Sequence, residues 1–125
     1  MFGPETSTAN RAMIGGMIGN NSCGLHSIIW GTTRDNLLET NVILGDGTET
    51  VFKGLTKPQL DNECMGSGTE SDLYKALKAL VENKENQQAI EEGFPRKDIK
   101  RRNTGYALDT VVEMSRFEEG TSFNL

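Results

Sequence analysis

The feature that most constrains this chain is the glycine-rich stretch MIGGMIGNNSCG at residues 13–24. It contains four glycines and two asparagines in twelve positions. Such a segment loses much conformational entropy on folding and contributes little side-chain surface to a core. A ligand that must approach the main chain closely would offset that cost. The stretch therefore predicts a ligand-contacting loop, with a purely structural loop as the alternative.

Two common glycine-rich nucleotide motifs do not fit this stretch. The dinucleotide fingerprint requires G-x-G-x-x-G between a strand and a helix, whereas the order here is GGxxG and no convincing strand precedes it. Gly19 and Gly24 have the spacing of a P-loop, but Leu25 and His26 stand where Lys and Ser or Thr are required. Main-chain N–H groups in such turns still form anion sites, so a phosphate or nucleotide ligand stays open.

Composition narrows the class of protein. At 125 residues the chain forms one domain at most, and its net charge of −5 disfavours binding to nucleic acid or acidic membranes. No run approaches the ~18 apolar residues of a membrane span, and no signal-peptide pattern is present. Cys23 and Cys64 lack metal-ligand spacing, so no metal site is indicated and a reducing, cytoplasmic setting is expected.

A β-hairpin is the clearest local element. Residues 37–44 read as a strand, Asp46-Gly47 as the turn, and the stretch TETVF as the returning strand. Residues 54–69 read as a connection because they contain Pro58 and several glycines.

Helices are expected in the second half of the chain. Leu73, Leu77, Leu80 and Val81 form one apolar stripe, which predicts a helix from about 70 to 83–86. Its first turn is expected to be capped by one of two hydroxyl side chains. A short helix at about 87–92 that ends at Gly93 and another around 108–112 complete the prediction. The capping candidates are Thr69 and Ser71.

No catalytic centre is visible in the residue pattern. His26 is the only histidine and has no motif neighbours, so a structural or surface role is expected. The basic run RKDIKRR at 96–102 has no interleaved aromatics, which favours a solvated or interdomain surface over nucleic-acid binding. No carboxylate pair, nucleophile triad or metal cluster has the required spacing.

Several motifs occur in the order typical of one flavoprotein family. They resemble the FAD-linked oxidases of the vanillyl-alcohol oxidase type, in particular the group of D-lactate, glycolate and D-2-hydroxyglutarate dehydrogenases. Trp30 replaces the commoner Tyr of that family, and Glu5 stands where Asp is more usual. The matching residues are Pro4-Glu5, Ile14-Gly15-Gly16, Asn21-Ser22-Cys23-Gly24, Trp30-Gly31, Asp46-Gly47 and, further along, FPRKDIKRRNTGYALD at 94–109.

The resemblance implies an α+β fold in which an antiparallel sheet is flanked by helices. In this family a PCMH-type FAD-binding fold has two such lobes with the flavin between them, and the chain resembles most of the second lobe. The implied division is a cofactor-contacting loop segment at 1–35, a hairpin at 36–53, a helical segment at 70–92 and a return segment at 93–125.

The resemblance also implies that FAD contacts the start of the chain. The segment from Pro4 to Met13 and the Gly15-Gly16 pair would run along the pyrophosphate and flavin, and the NNSC stretch would lie close to the cofactor. The expected FAD-binding residues are Pro4, Glu5, Ser7, Asn10, Arg11, Ala12, Met13, Gly15, Gly16, Gly19, Asn20, Asn21, Ser22, Cys23 and Gly24.

By the same resemblance, the parent protein is expected to oxidise a D-2-hydroxy acid by passing a hydride to flavin, with an iron–sulfur region elsewhere in its chain. Residues 1–125 are expected to be an inactive fragment that lacks the first lobe and the substrate-binding cap. The parent is expected in the cytoplasm, with peripheral attachment to a membrane left open. Two other classes stay open: a stand-alone nucleotide- or phosphate-binding module, and a non-catalytic interaction fragment that forms a homo-oligomer.

Overall fold

The described part of the chain consists of two separate units. A computed structural model describes residues 3–99 and 105–125. The first unit contains residues 3–37, 95–99 and 105–106, and the second contains residues 38–94 and 107–125.

The first unit consists of loops and short helical turns. Helices α1 (Ile14–Gly19) and α2 (Ser27–Trp30) both lie within residues 1–35, which the sequence predicts as a loop segment. A 3-10 turn at Arg34–Asn36 follows. The only buried apolar side chain of α1 is Met17, because the helix is glycine-rich and offers few side chains for packing.

The second unit begins with the hairpin. Strands β1 (Glu39–Ile43) and β2 (Glu49–Lys53) pair antiparallel. Gly47 has φ of 86°, in the left-handed region that favours glycine, and its N–H donates to the carbonyl of Leu44 at 2.9 Å. Asp46 Oδ1 accepts from Thr48 N at 2.9 Å. The hairpin predicted from the Asp-Gly pair is confirmed.

The prediction of a connection at 54–69 is wrong, because helix α3 spans Lys57–Met65. Pro58 lies in its first turn, where a missing N–H costs nothing. Gln59 Oε1 accepts from Thr56 N at 2.8 Å, which completes a capping box.

Helix α4 (Thr69–Glu82) is confirmed, but its buried face is displaced by about one residue from the predicted stripe. Tyr74 and Val81 are buried, whereas Leu73 and Leu80 are exposed. The predicted hydroxyl cap is wrong: Gly68 occupies the N-cap position without a side-chain hydrogen bond. The Thr69 hydroxyl instead donates to Asp46 of the hairpin turn.

The last helices pack on α4 around one core. Helix α5 (Lys84–Gly93) ends at the predicted glycine but begins earlier, because Asn83 caps it by accepting from two main-chain N–H groups. Helix α6 (Leu108–Met114) confirms the predicted third helix. The mixture of a two-stranded antiparallel sheet with helices confirms the α+β class. The core residues are Leu55, Leu60, Tyr74, Val81, Ile90, Val111, Val112 and Phe123.

Candidate functional site

The start of the chain is held against the end of the glycine-rich stretch by main-chain packing. A Cβ built on Gly24 would overlap the carbonyl oxygen of Glu5 and lie 2.6 Å from its carbonyl carbon. Ser27 Oγ accepts from Gly24 N at 3.0 Å and donates to the carbonyl of Pro4 at 3.1 Å. Only glycine fits at position 24, so this glycine has a structural role. We call residues 4–5 and 24–27 the clasp.

An acidic and an imidazole side chain meet at the edge of the clasp. His26 Nδ1 lies 2.8 Å from Glu5 Oε2, and both side chains are about half exposed. Glu5 has φ of 41°, an unusual value for a residue with a side chain. His26 therefore has a local contact that its sequence position does not indicate.

The NNS triplet after α1 is held by the residues that follow α2. Asn21 has φ of 44°, and its Oδ1 accepts from Arg34 N at 2.9 Å. The carbonyl of Ser22 accepts from Thr33 Oγ1 at 2.6 Å and from Thr33 N at 3.1 Å. Asn20 Nδ2 donates to Ser22 Oγ at 3.3 Å and is exposed. The side-chain oxygen of Asn21 is thus used by the loop, while Asn20 is accessible to a ligand.

The glycines of α1 differ from Gly24. No atom of residues 3–99 and 105–125 lies within 4 Å of a Cβ built on Gly15, Gly16 or Gly19, and none of the three has a positive φ. Neither packing nor backbone conformation therefore requires glycine at these positions. A glycine inside a helix costs about 0.5–1 kcal/mol relative to alanine. Nothing in the fold of the first unit accounts for that cost.

The remaining residues expected at FAD are mostly accessible. Pro4 is buried and Ala12 is partly buried. Arg11 Nη1 donates to Asn10 Oδ1 at 3.4 Å on the surface. Cys23 is partly buried and forms no disulfide. The exposed members of the expected set are Glu5, Ser7, Asn10, Arg11, Met13, Gly15, Gly16, Gly19 and Asn20.

Residues outside the expected set support this segment. Asp35 Oδ2 accepts from Thr32 N at 2.7 Å and from Thr32 Oγ1 at 2.8 Å. Gly31 has φ of 76° and packs against Asp35, where a Cβ would lie 2.9 Å from the side chain. In the GTTRD sequence at residues 31–35, a threonine and an aspartate have the spacing of a turn closed by a side-chain hydrogen bond. This pattern could have identified Thr32 and Asp35 as supporting residues.

An apolar surface accompanies helix α2. Leu25, Ile28, Ile29 and Trp30 are between 52% and 75% exposed. Large contiguous apolar patches are uncommon on soluble proteins and mark binding surfaces. We call these four residues the α2 patch.

The other candidate sites remain without support in the described residues. Arg96 of the basic run pairs with Asp98, with Nε 3.0 Å from Oδ1, and Lys100, Arg101 and Arg102 lie outside the described residues. Among residues 3–99 and 105–125, no group of three or more acidic, histidine or cysteine side chains is arranged for a metal ion. None of the described helices combines the length and apolar character that a membrane crossing requires.

Comparison with known proteins identifies the class of the glycine-rich segment. Residues 1–53 match the FAD binding domain family. This range contains the clasp, the open glycines of α1 and the hairpin. The resemblance to FAD-linked oxidases is therefore confirmed.

Individual relatives extend the similarity over nearly the whole chain. D-2-hydroxyglutarate dehydrogenase of Pseudomonas putida is 34% identical over 99% of this chain, which covers 11% of that protein. The enzymes of the same name from Pantoea ananatis and Escherichia coli are 32% and 30% identical over 94% of this chain, each with 11% of its length covered. The chain thus spans about a ninth of the length of these relatives. No solved structure matches it.

Proposed function

We propose that the chain is one part of the FAD-binding domain of an FAD-linked dehydrogenase that oxidises a D-2-hydroxy acid. The observation that carries the proposal is the open space at Gly15, Gly16 and Gly19. The fold does not require these glycines, but a cofactor that lies against the main chain of α1 would. The similarity of residues 1–53 to the FAD binding domain family supports FAD as that cofactor.

The residues present fit such a cofactor. The glycine positions of α1 have no side chain that would keep a ligand at a distance, and exposed polar groups of Ser7, Asn10 and Asn20 lie along the same segment of chain. Their hydroxyl and amide groups donate to and accept from phosphate, ribose or ring edges. When FAD is bound, it supplies the hydride-accepting chemistry. The part assigned to this chain is to bind and orient it.

The clasp has a positioning role in this proposal. It ties Pro4 and Glu5 to the far end of the glycine-rich stretch, so the two stretches assigned to the cofactor are held together before a ligand arrives. Such preorganisation reduces the ordering cost of binding. The fifteen residues between Pro4 and Gly24 that the sequence analysis names are all proposed to bind FAD.

The site is proposed to be incomplete in this chain. The chain covers about a ninth of the length of its relatives, and the α2 patch leaves four large apolar side chains exposed. We propose that another part of the polypeptide of an FAD-linked dehydrogenase packs against the α2 patch. The substrate class, a cytoplasmic location and an iron–sulfur acceptor elsewhere in the parent protein belong to the same proposal.

A chimera tests this function. The matched segment of the Pseudomonas putida D-2-hydroxyglutarate dehydrogenase is replaced by residues 1–125 of this chain. We expect a folded protein that retains FAD and reduces a dye when D-2-hydroxyglutarate is added. A folded chimera without flavin would contradict the proposal.

Calorimetry separates the half-site from a stand-alone binding module. The chain alone is titrated with FAD, ADP and inorganic phosphate. A half-site predicts no binding or only weak binding of each. Tight binding of ADP or phosphate, or a preparation that retains flavin during purification, would favour the stand-alone module.

A further inference from the structure

The turn of the β-hairpin contains a chemically labile pair of residues. Asp46 is the only aspartate or asparagine in the chain that is followed directly by glycine. Because glycine has no Cβ, its main-chain nitrogen can approach the side chain of the preceding residue with little steric hindrance. The Asp-Gly pair that specifies the turn is therefore also a pair whose own atoms can react with each other.

The reaction is a rearrangement of the main chain at Asp46. The Gly47 nitrogen attacks Cγ of the neutral Asp46 carboxyl group and forms a C–N bond, while the carboxyl hydroxyl and the proton of the Gly47 N–H leave as water. Water then opens the resulting succinimide ring at the main-chain carbonyl carbon, so that the chain continues through the side chain as isoaspartate. The water released in the first step is regained in the second, and the mass of the chain is unchanged.

The structure holds both reacting groups in other hydrogen bonds. Gly47 N donates to the carbonyl of Leu44 at 2.9 Å. Asp46 Oδ1 accepts from Thr48 N at 2.9 Å, and Asp46 Oδ2 accepts from the Thr69 hydroxyl. The Thr69 hydroxyl and, after it, the main chain of Thr48 lower the pKa of Asp46 to about 2. The carboxylate is therefore held in its ionised form, which a nucleophile attacks much less readily than the neutral acid.

Thr69 is the one partner among these that lies outside the turn. It is the first residue of α4 and stands 23 positions from the aspartate in sequence. Two further contacts hold the hairpin against this helix. Thr50 Oγ1 donates to Glu70 Oε1 at 2.5 Å, and the Phe52 ring stands edge-on to Tyr74 with the ring centroids 6.1 Å apart. The Thr69 hydroxyl thus reaches the turn only while the hairpin is docked on α4.

We propose that Asp46-Gly47 is a site of spontaneous isoaspartate formation, which Thr69 suppresses while the hairpin is docked on α4. Undocking removes the Thr69 hydrogen bond and leaves the carboxylate with the contacts of the turn alone. The product has an extra carbon atom in the main chain of the turn, so the native hydrogen bonds of the turn cannot all re-form. The modification therefore leaves a lasting record of undocking. This inference is independent of the proposed function, because it uses only the second unit.

The rate of isoaspartate formation in the full chain tests the proposal. The unsubstituted chain, T69V and a synthetic peptide of residues 44–48 are incubated at neutral pH. After digestion at Arg34 and Lys53, the modified fragment elutes separately at unchanged mass, and electron-transfer fragmentation assigns the change to residue 46. The folded chain should react at least about tenfold more slowly than the peptide, and T69V at least about fivefold faster than the unsubstituted chain, because hydrogen bonds to ionised groups contribute factors of this size.

Two matched variants separate the local contact from a general loss of stability. T69S keeps a hydroxyl group at the same position and should hold the rate at the unsubstituted level. T56V removes the hydroxyl that donates to Gln59 in the capping box of α3, which destabilises the second unit without a change at the turn. It should leave the rate unchanged. A T56V chain that reacts as fast as T69V would overturn the proposal, because modification would then follow unfolding of the whole unit.

A second substitution tests the role of docking. T50V removes the hydrogen bond to Glu70 and leaves every contact of the aspartate in place. It should raise the rate at least about threefold, since a charge-assisted hydrogen bond between the hairpin and α4 is lost. A T50V rate equal to that of the unsubstituted chain would overturn the link to docking. An unsubstituted chain that reacts as fast as the peptide, a comparison that needs no variant, or a folded T69V chain that reacts as slowly as the unsubstituted chain would each overturn the suppression by Thr69.

Discussion

The substitution Gly24→Ala tests the clasp most sharply. The added Cβ would overlap the carbonyl oxygen of Glu5 and lie 2.6 Å from its carbonyl carbon. Carbon atoms in contact are ordinarily about 3.5–4.0 Å apart, so the Glu5 peptide must move by more than about 1 Å. The obstacle is main chain rather than the end of a flexible side chain, and the strain cannot be relieved by a change of rotamer.

The size of the effect follows from two contributions. Overpacking of this kind costs about 1–3 kcal/mol. The displacement also breaks the hydrogen bonds of Ser27 Oγ to Gly24 N and to the Pro4 carbonyl, each of which contributes about 1 kcal/mol. We expect a loss of roughly 3–5 kcal/mol in the free energy of unfolding of the first unit.

Urea denaturation followed by the fluorescence of Trp30 measures this loss. Trp30 is the only tryptophan and lies in the first unit, with its Cβ close to Gly3. Gly16→Ala is the matched control because it has open space, and it should raise stability by about 0.5–1 kcal/mol. A Gly24→Ala chain within about 0.5 kcal/mol of the unsubstituted protein would refute the clasp.

Three further predictions concern the second unit. The hydrogen bonds from the Thr69 hydroxyl and the main chain of Thr48 lower the pKa of Asp46 to about 2; the stabilisation they give is therefore present above about pH 4 and is lost as the pH falls towards 2. Acid titration of the unsubstituted chain against Asp46→Asn should show this difference. Asn83→Ala removes the cap of α5 and should cost about 1 kcal/mol in thermal unfolding. Val81→Ala leaves a cavity in the core and should cost about 2 kcal/mol in urea unfolding, and an effect below 0.5 kcal/mol would contradict its complete burial.

The sequence predicts those structural elements that are determined by residues close together in the chain. The Asp46-Gly47 turn specifies its own conformation, because Gly47 adopts the left-handed region and Asp46 bonds the main chain beyond it. The end of α5 at Gly93 is of the same kind. Helix α3 was missed because Pro58 reads as a breaker, although Thr56 and Gln59 already form the capping-box pattern.

Features that depend on tertiary contacts were not predictable in this way. The leucine stripe of α4 indicates the helix, but the choice of Tyr74 over Leu73 as its buried residue depends on Phe52 of the hairpin, whose ring stands edge-on to Tyr74. The predicted N-cap of α4 is wrong for a similar reason. The Thr69 hydroxyl donates to Asp46 of the hairpin turn and does not cap the helix. Long-range contacts therefore override the local preference.

In the candidate site the sequence predicts the segment but does not separate the roles of its glycines. Gly24 and Gly16 look alike in the pattern, yet one is packed against the Glu5 peptide and the other has open space around it. The pairing of His26 with Glu5 joins residues that are far apart in sequence, and no motif indicates it.

The flavin content of the chimera with Gly16→Ala separates a cofactor role of the α1 glycines from a structural one. The proposed function assigns the α1 glycines to the approach of FAD and not to the fold. It predicts that Gly16→Ala lowers the ratio of flavin to protein in the chimera by at least about tenfold while it stabilises the chain on its own. Full retention of flavin in a folded Gly16→Ala chimera would contradict this role of the α1 glycines.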